Sequence, residues 1–302
     1  TGVQTCALPI SGFPKCGTTS LHYYLSEHPE IYMPNKKELH FFTNKIFEEN
    51  NKGAGDSVLA NTHIKTLDDY KKYFEGGKKH KTIGETSPSY INHPTLFKKI
   101  NSTLSDPKII VLIRDPIKRA HSNYLHLVRE QRETLSFEEA LSQEEKRKAL
   151  KYADFWYYKF NSTYYKKIKN AKDIFSNVLI ITQEELSQQS SQTIKKVYQF
   201  LGVDTKFKPK SLKKTYNPGG AYKKNIITSV MFRPSLIKNI IKKIIPVRPW
   251  MKDILNTISA RYKKSPEKIN DKTHKYLIKY FKKDVEAIKK LGVDTSSWNE
   301  YN

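Results

Sequence analysis

The chain has 302 residues, and 54 Lys and Arg against 30 Asp and Glu give it a formal net charge of +24, so its natural partners are anions. Because 37% of the residues are hydrophobic and 12% are aromatic, the composition excludes a disordered chain and is sufficient for a sizeable core. The two cysteines, Cys6 and Cys16, are too few for a disulfide-rich fold. Residues 206–290 hold 24 basic and 5 acidic residues, which solvated lysine-rich helices explain as well as an anion-binding groove does.

The first ten residues are an unusual start for such a chain. They resemble translated sequencing adapter and place Pro9 beside the loop that follows. We therefore expect residues 1–10 to be non-native or a truncated first strand, and residues 11–302 to form a single domain. The chain has neither the pattern of a signal peptide nor a run of about 20 apolar residues that could span a membrane. We expect a cytoplasmic protein, with a targeting segment lost upstream as the alternative.

Strand and helix patterns alternate along the rest of the chain. In order, they are a loop and helix at 12–28, an extended piece at 81–85, a helix at 94–101, a strand at 108–113, a helix at 116–131, a strand at 177–182, a helix at 187–202 and helices within 226–291. The two strands are continuous β-branched runs, typical of parallel strands buried on both faces. We predict an α/β, three-layer, P-loop-like fold with a central, mostly parallel sheet flanked by helices.

The loop from Gly12 to Ser20 has the composition of an anion-binding loop. Its two glycines, Gly12 and Gly17, permit a tight turn whose N–H groups face an anion at the start of a helix. Lys15 adds a full positive charge. The first helical turn adds three hydroxyl groups, those of Thr18, Thr19 and Ser20.

This loop differs from the loop of nucleotide-triphosphate enzymes, in which a lysine follows the second glycine. Thr18 occupies that position here, and the cation has moved to Lys15. The sequence also lacks a clear strand that ends in a magnesium-binding Asp. A P-loop nucleotide kinase is therefore a weaker explanation of this loop. The alternative without a binding function is a Gly/Thr-rich turn that merely starts a helix.

The run Pro14-Lys15-Cys16-Gly17-Thr18-Thr19-Ser20 resembles the 5′-phosphosulfate loop of sulfotransferases that use 3′-phosphoadenosine 5′-phosphosulfate (PAPS), especially the branch of heparan-sulfate and bacterial carbohydrate enzymes. Cys16 departs from the small residue that is usual there. The resemblance implies an enzyme that binds PAPS as co-substrate and transfers its sulfuryl group to a hydroxyl of an acceptor, a glycan or glycolipid. It implies no metal, and no cluster in the sequence has metal-ligand spacing.

A second anion grip follows the predicted strand at 108–113. Arg114 lies at the carboxyl end of this strand, where open α/β sheets bind ligands. Ser122 lies eight residues later, two turns along a helix that Pro116 can begin. The resemblance implies that Arg114 and Ser122 hold the 3′-phosphate of PAPS; an Arg114–Asp115 ion pair is the alternative.

The catalytic candidates are Glu38 and His40, together with Lys15. On an extended segment, residues two apart project to the same side, so Glu38 and His40 can share a proton. The resemblance implies that Glu38 is the general base toward the acceptor hydroxyl. His40 either orients Glu38, binds the acceptor or is itself the base, and a surface Glu beside a buried His is the structural alternative. We expect Lys15 to stabilise the charge on the donor's bridging oxygen.

Lys223 and Lys224 follow a Pro-Gly-Gly turn, where the family closes a basic loop over the donor. A solvated lysine pair explains them equally well. A basic nucleic-acid-binding protein is the alternative from another class, and it predicts binding that falls steeply with salt. The sequence has no recognisable nucleic-acid-binding module, so we do not expect a nucleic acid as partner.

Overall fold

The computed structural model describes residues 7–212 and 262–301 and a few positions between them (214, 216, 221, 222, 228, 232, 234 and 235). Its main sheet has five parallel strands in the order β2-β3-β1-β4-β5. The strands are β1 Ala7–Ile10, β2 Ile31–Tyr32, β3 Thr82–Thr86, β4 Ile109–Ile113 and β5 Val178–Thr182. A short antiparallel pair joins β6, Ala221–Tyr222, to β7, Lys263–Lys264. The predicted α/β fold with a parallel central sheet is confirmed.

Strand β1 forms the described start of the chain. It lies between β3 and β4, with Ile10 in register with Thr86 on one side and Ile110 on the other. The backbone pairing continues past its end, because the N–H of Ser11 donates to the carbonyl of Ile110 at 2.9 Å. A strand of four residues therefore leads into the anion loop despite Pro9, since proline removes one donor from the ladder and leaves its carbonyl. The non-native origin of residues 1–10 stays a prediction.

Helices surround the sheet. The described helices are α1 Thr18–Ser26, α2 Asn44–Glu49, α3 Asp56–Ala60, α4 Leu67–Lys72, α5 Phe97–Leu104, α6 Pro116–Arg129, α7 Phe137–Ser142, α8 Glu144–Ala149, α9 Tyr165–Ile174, α10 Gln183–Gln188, α11 Ser190–Leu201 and α12 Asp271–Lys289. Short 3₁₀ turns lie at Glu75–Gly77, Pro88–Asn92, Pro94–Leu96, Asp154–Trp156, Phe160–Ser162 and Asn299–Tyr301.

Local capping decides where some predicted helices begin. The helix predicted at 187–202 corresponds mainly to α11, Ser190–Leu201. A separate helix, α10, precedes it, because Thr182 at the end of β5 forms a capping box with Glu185 and starts a helix at once. The helix predicted at 94–101 begins with a 3₁₀ turn and continues as α5 to Leu104. Within the region 226–291, where helices were predicted, α12 is the one helix whose bounds lie in the described residues.

The core lies between the central strands and the surrounding helices. All residues of β3 and β4 are buried, as expected for strands covered on both faces. Helix α12 packs against α6 and α9 and buries one face, formed by Leu277, Phe281, Val285 and Ile288. Asp284 on the same helix accepts hydrogen bonds from the backbone of Tyr164 and Tyr165 at 2.7 and 3.0 Å. Helix α12 is thereby held against the start of α9.

Candidate active site

The predicted anion loop lies at the carboxyl end of β1 and leads directly into α1. Lys15 and Gly17 have φ angles of 72° and 91°, in the left-handed region, which bends the backbone sharply. Gly12 is so close to Leu112 that a Cβ atom there would come within 2.8 Å of the Leu112 backbone nitrogen, so only glycine fits. Because the N-cap residue Gly17 has no side chain, the first N–H groups of α1 are left to an anion.

A cavity of about 1210 Å³ opens in front of this loop. Ten of the residues predicted for the site line it, namely Pro14, Lys15, Gly17, Thr18, Thr19, Ser20, Glu38, His40, Arg114 and Ser122. These residues come from the start of α1, the loop after β2, the end of β4 and the middle of α6. The structure therefore brings both predicted anion grips and the predicted base to one cavity.

The remaining predicted residues differ from this pattern. The side chain of Cys16 is fully buried in the core, and burial raises the pKa of its thiol to about 12. The Cys16 side chain packs into the core and does not line the cavity, and donor binding by Cys16 stays a prediction. Lys223 and Lys224 lie outside the described residues.

Lys15 is a partly buried cation at the mouth of the loop. Burial lowers the pKa of its ammonium to about 8; the charges of Arg129 and Arg114 act in the same direction, and those of Glu130 and Glu38 oppose it. Arg114 also donates a hydrogen bond of 3.4 Å from Nη1 to the Lys15 carbonyl. Lys15, Arg114 and Arg129 all line the cavity, and their positive charges favour an anion there.

The loop that carries Glu38 and His40 is not extended, contrary to the prediction. Both residues have left-handed backbone, with φ angles of 59° and 51°. Backbone contacts with the end of β3 hold them there: Glu38 N donates to the Thr86 carbonyl at 2.7 Å, and His40 N donates to Ser87 Oγ at 3.0 Å. The two side chains still meet, because His40 Nε2 lies 3.9 Å from Glu38 Oε2. Tertiary contacts produce the pairing that the alternation rule predicted for another reason.

A buried carboxyl group supports this loop from behind. Glu85 accepts a hydrogen bond from Tyr70 Oη at 2.8 Å and another from Ser87 Oγ at 2.6 Å. The same Ser87 oxygen accepts the hydrogen bond from His40, so Glu85 is linked to the loop of Glu38 and His40 through one hydroxyl. Burial raises the pKa of the Glu85 carboxyl.

Glu38 opens to the cavity with 48% of its side chain exposed. The enclosed surroundings raise the pKa of its carboxyl, but hydrogen bonds and charge from His40 and Lys37 outweigh that effect. The pKa of Glu38 therefore lies well below its usual range, and the group is a carboxylate at neutral pH.

His40 is held by its other ring nitrogen. Nδ1 lies 2.7 Å from Ser89 Oγ, which in turn lies 2.8 Å from Thr43 Oγ1. The imidazole of His63 packs 4.5 Å away, and burial together with the charge on His40 lowers the pKa of His63 to about 3. These contacts direct Nε2 of His40 toward Glu38.

Sequence reasoning missed several residues of the cavity. Lys37 donates from Nζ to Thr19 Oγ1 at 2.6 Å and lies 3.5 Å from Glu38 Oε1. One face of α6 continues the wall beyond Ser122, with the side chains of Lys118, Leu125, His126 and Arg129. The helical spacing of these positions from Ser122 is the signal that could have found them.

A buried ion pair forms another part of the cavity wall. Arg132 Nη2 contacts Asp56 Oδ1, and its Nε donates to the Ala54 carbonyl at 2.6 Å. Asp56 also accepts from Trp156 Nε1 at 3.0 Å. Next to this pair, His126 Nε2 lies 3.3 Å from Glu130 Oε1, and the pKa of Glu130 falls to about 2 because contacts with His126 and Arg132 outweigh its burial. Both carboxylates of this wall, Asp56 and Glu130, thus form ion pairs with Arg132 within the protein.

The described residues, 7–212 and 262–301 with the few positions between, contain neither a metal-ligand cluster nor a helix that could span a membrane. No three His, Cys, Asp or Glu side chains group there as ligands for a metal ion. No helix there is long and apolar enough to cross a membrane.

Known proteins are similar to this chain in sequence and in fold. Residues 8–207 match the sulfotransferase family. A membrane-associated sulfotransferase, kil1 of Dictyostelium discoideum, is 36% identical over 118 residues, which are 38% of this chain and 21% of the relative. Carbohydrate sulfotransferase 15 of Mus musculus is 29% identical over 164 residues, which are 44% of this chain and 29% of the relative. The chain thus spans less than a third of the length of these two curated relatives.

The crystal structure of a sulfotransferase from Alicyclobacillus acidocaldarius has the same fold. It superposes with a TM-score of 0.73 at 31% sequence identity, and the match covers 98% of this chain and 100% of the other. The family match covers about two thirds of the chain, including the anion loop, the loop of Glu38 and the grip at Arg114. This chain belongs to the sulfotransferase family.

Proposed function

We propose that the protein transfers the sulfuryl group of PAPS to a hydroxyl group of a carbohydrate acceptor. The observation that carries the proposal is the shared cavity, in which two anion grips and an ionised carboxylate face one another. Family membership gives the reaction type, and the geometry supports a role for each group.

Two parts of the cavity suit the two anionic ends of PAPS. The loop at 14–20 offers backbone N–H groups, hydroxyls and Lys15 to the 5′-phosphosulfate. Arg114 and Ser122 suit the 3′-phosphate, and Arg114 Nε is buried with no hydrogen-bond partner among the described residues. A guanidinium with an unused N–H beside a cavity is a donor available to a phosphate oxygen.

The proposed reaction is a direct displacement at sulfur. The acceptor oxygen attacks the sulfur as Glu38 takes its proton, and the bond from sulfur to the bridging oxygen breaks. The electron pair stays on the bridging oxygen, whose new negative charge Lys15 and the N–H groups of α1 stabilise. His40 keeps Glu38 oriented through the contact at 3.9 Å. Sulfated acceptor and 3′-phosphoadenosine 5′-phosphate (PAP) are the products.

A carbohydrate acceptor is supported by the relatives and by the space available. The relative from mouse is named a carbohydrate sulfotransferase. A cavity of about 1210 Å³ exceeds the roughly 300–1,000 Å³ of a site for one small molecule, which leaves room for an acceptor beside the donor. Phe47 and Phe155 line the cavity, and aromatic faces suit the apolar faces of sugar rings.

Binding of nucleotides tests the donor assignment. Calorimetry with PAP, AMP and ATP, without and with Mg²⁺, should show the tightest binding for PAP and no need for the metal. AMP lacks the 3′-phosphate, so we expect it to bind at least about tenfold more weakly than PAP, the value of one charge-assisted contact. In Arg114→Met this difference should shrink, while AMP binding stays unchanged. Tighter binding of ATP than PAP would overturn the proposal in favour of a kinase.

The depressed pKa of Lys15 predicts how donor binding depends on pH. The free enzyme holds Lys15 protonated below pH about 8 and neutral above it, whereas a bound anion favours the protonated form. The dissociation constant of PAP should therefore rise above pH 8, by at most about tenfold per pH unit. Lys15→Arg keeps its charge over this range and should flatten the curve. An equal slope in Lys15→Arg would show that another group causes the effect.

A further inference from the structure

One side chain connects the anion loop with the loop that carries Glu38 and His40. The ammonium of Lys37 lies 2.6 Å from the hydroxyl of Thr19, in the first turn of α1, and 3.5 Å from a carboxylate oxygen of Glu38. The Lys37 side chain is 15% exposed and lines the cavity. It is therefore placed between the group proposed to bind the 5′-phosphosulfate and the proposed base.

The contacts of Lys37 leave it suited to a ligand. An ammonium has three N–H donors, and the contacts with Thr19 and Glu38 use two of them, the second at a long distance. Lys15 lines the same cavity from the anion loop. A sulfuryl group between donor and acceptor would thus have one cation from each loop.

We propose that Lys37 is a second catalytic cation, whose ammonium contacts the sulfuryl oxygens of PAPS during transfer and holds Glu38 beside the acceptor hydroxyl. This inference rests on the proposed function and extends it. Lys15 serves the bridging oxygen that leaves with PAP, and Lys37 serves the group that is transferred. No bond to Lys37 forms or breaks, and the acceptor proton still goes to Glu38.

If Lys37 has this role, it should affect the reaction of PAPS and the binding of PAP differently. PAP lacks the sulfuryl group, so a contact with that group contributes to turnover and not to PAP binding. A lysine that merely held the anion loop through Thr19 would affect both.

Lys37 should also affect the acid limb of the pH profile, which is the fall of enzyme activity at low pH. The charged or titratable groups that act on Glu38 or feel its charge are Lys15, His22, Lys37, His40 and His63. The positive charge of Lys37 lowers the pKa of Glu38, so its removal should raise that pKa. The pH at which activity falls on acidification should rise accordingly.

Steady-state kinetics and PAP binding of Lys37→Met, Lys37→Arg and Lys45→Met test the inference. Lys45 is exposed on α2 and does not line the cavity, so Lys45→Met matches the loss of charge alone. We expect Lys37→Met to lower kcat roughly 10²-fold, to change the dissociation constant of PAP less than about threefold, and to move the acid limb to higher pH. Lys37→Arg should retain more activity than Lys37→Met, and Lys45→Met should match the unsubstituted enzyme.

Three results would overturn the inference. One is unchanged kcat in Lys37→Met, and another is a loss of kcat matched by an equal loss of PAP affinity with no shift of the acid limb. The third is failure of the unsubstituted protein to transfer sulfate from PAPS or to prefer PAP over ATP, which refutes the proposed function itself.

Discussion

Replacing Glu38 with glutamine should lower turnover by about 10²–10⁴-fold while PAP binding stays within a few fold of the unsubstituted protein. The carboxylate is ionised because His40 and Lys37 hold its pKa below the usual range, and glutamine cannot accept the acceptor proton. Transfer of labelled sulfate from PAPS, measured on a glycan that the unsubstituted protein sulfates, gives turnover. Calorimetry with PAP gives binding.

The matched variant for this test is His40→Asn. If His40 orients Glu38, its replacement should cost less turnover than Glu38→Gln. It should also move the fall of activity at low pH to higher pH, because His40 lowers the pKa of Glu38. Unchanged turnover in Glu38→Gln, together with a large loss in His40→Asn, would contradict the assignment and make His40 the base. His40 would then have to accept the proton through Nε2, since Nδ1 is engaged by Ser89.

Replacing Lys15 with methionine should lower kcat/KM for PAPS by about 10²–10³-fold, because it removes the cation at the oxygen on which charge develops. Unlike Lys37→Met, this variant should also weaken PAP binding, since Lys15 lies in the loop that holds the 5′-phosphate. Steady-state kinetics with PAPS as the varied substrate measures the first effect. Calorimetry with PAP measures the second, and PAP affinity equal to that of the unsubstituted protein would contradict the placement of Lys15 in this loop's anion site.

The same substitution should not lower stability. The folded state lowers the pKa of Lys15, so the folded protein binds fewer protons than the unfolded chain between pH about 8 and 10.5. Stability from this group therefore rises with pH across that window, and the charged form is unfavourable below it. A thermal midpoint of Lys15→Met at pH 7 that equals or exceeds that of the unsubstituted protein would exclude unfolding as the cause of lost activity.

Local patterns in the sequence were sufficient for the anion loop and for the central strands. Glycine where the backbone must turn, a cation and hydroxyls at a helix start, and continuous β-branched runs are all visible in short stretches of the chain. The spacing of Arg114 and Ser122 is likewise a property of one strand end and one helix. These features depend on interactions within a few residues, which a sequence displays directly.

Only the tertiary structure decided how these pieces meet. The left-handed backbone at Glu38 and His40 results from hydrogen bonds to the end of β3, almost 50 residues away, and the alternation rule had assumed an extended segment. The inward packing of Cys16 and the contact from Lys37 to Thr19 also depend on the approach of separate segments. The sequence alone therefore determined which chemical groups the protein carries and which strands and helices present them. Their distances, their burial and hence their pKa values arise from long-range packing, which no local pattern encodes.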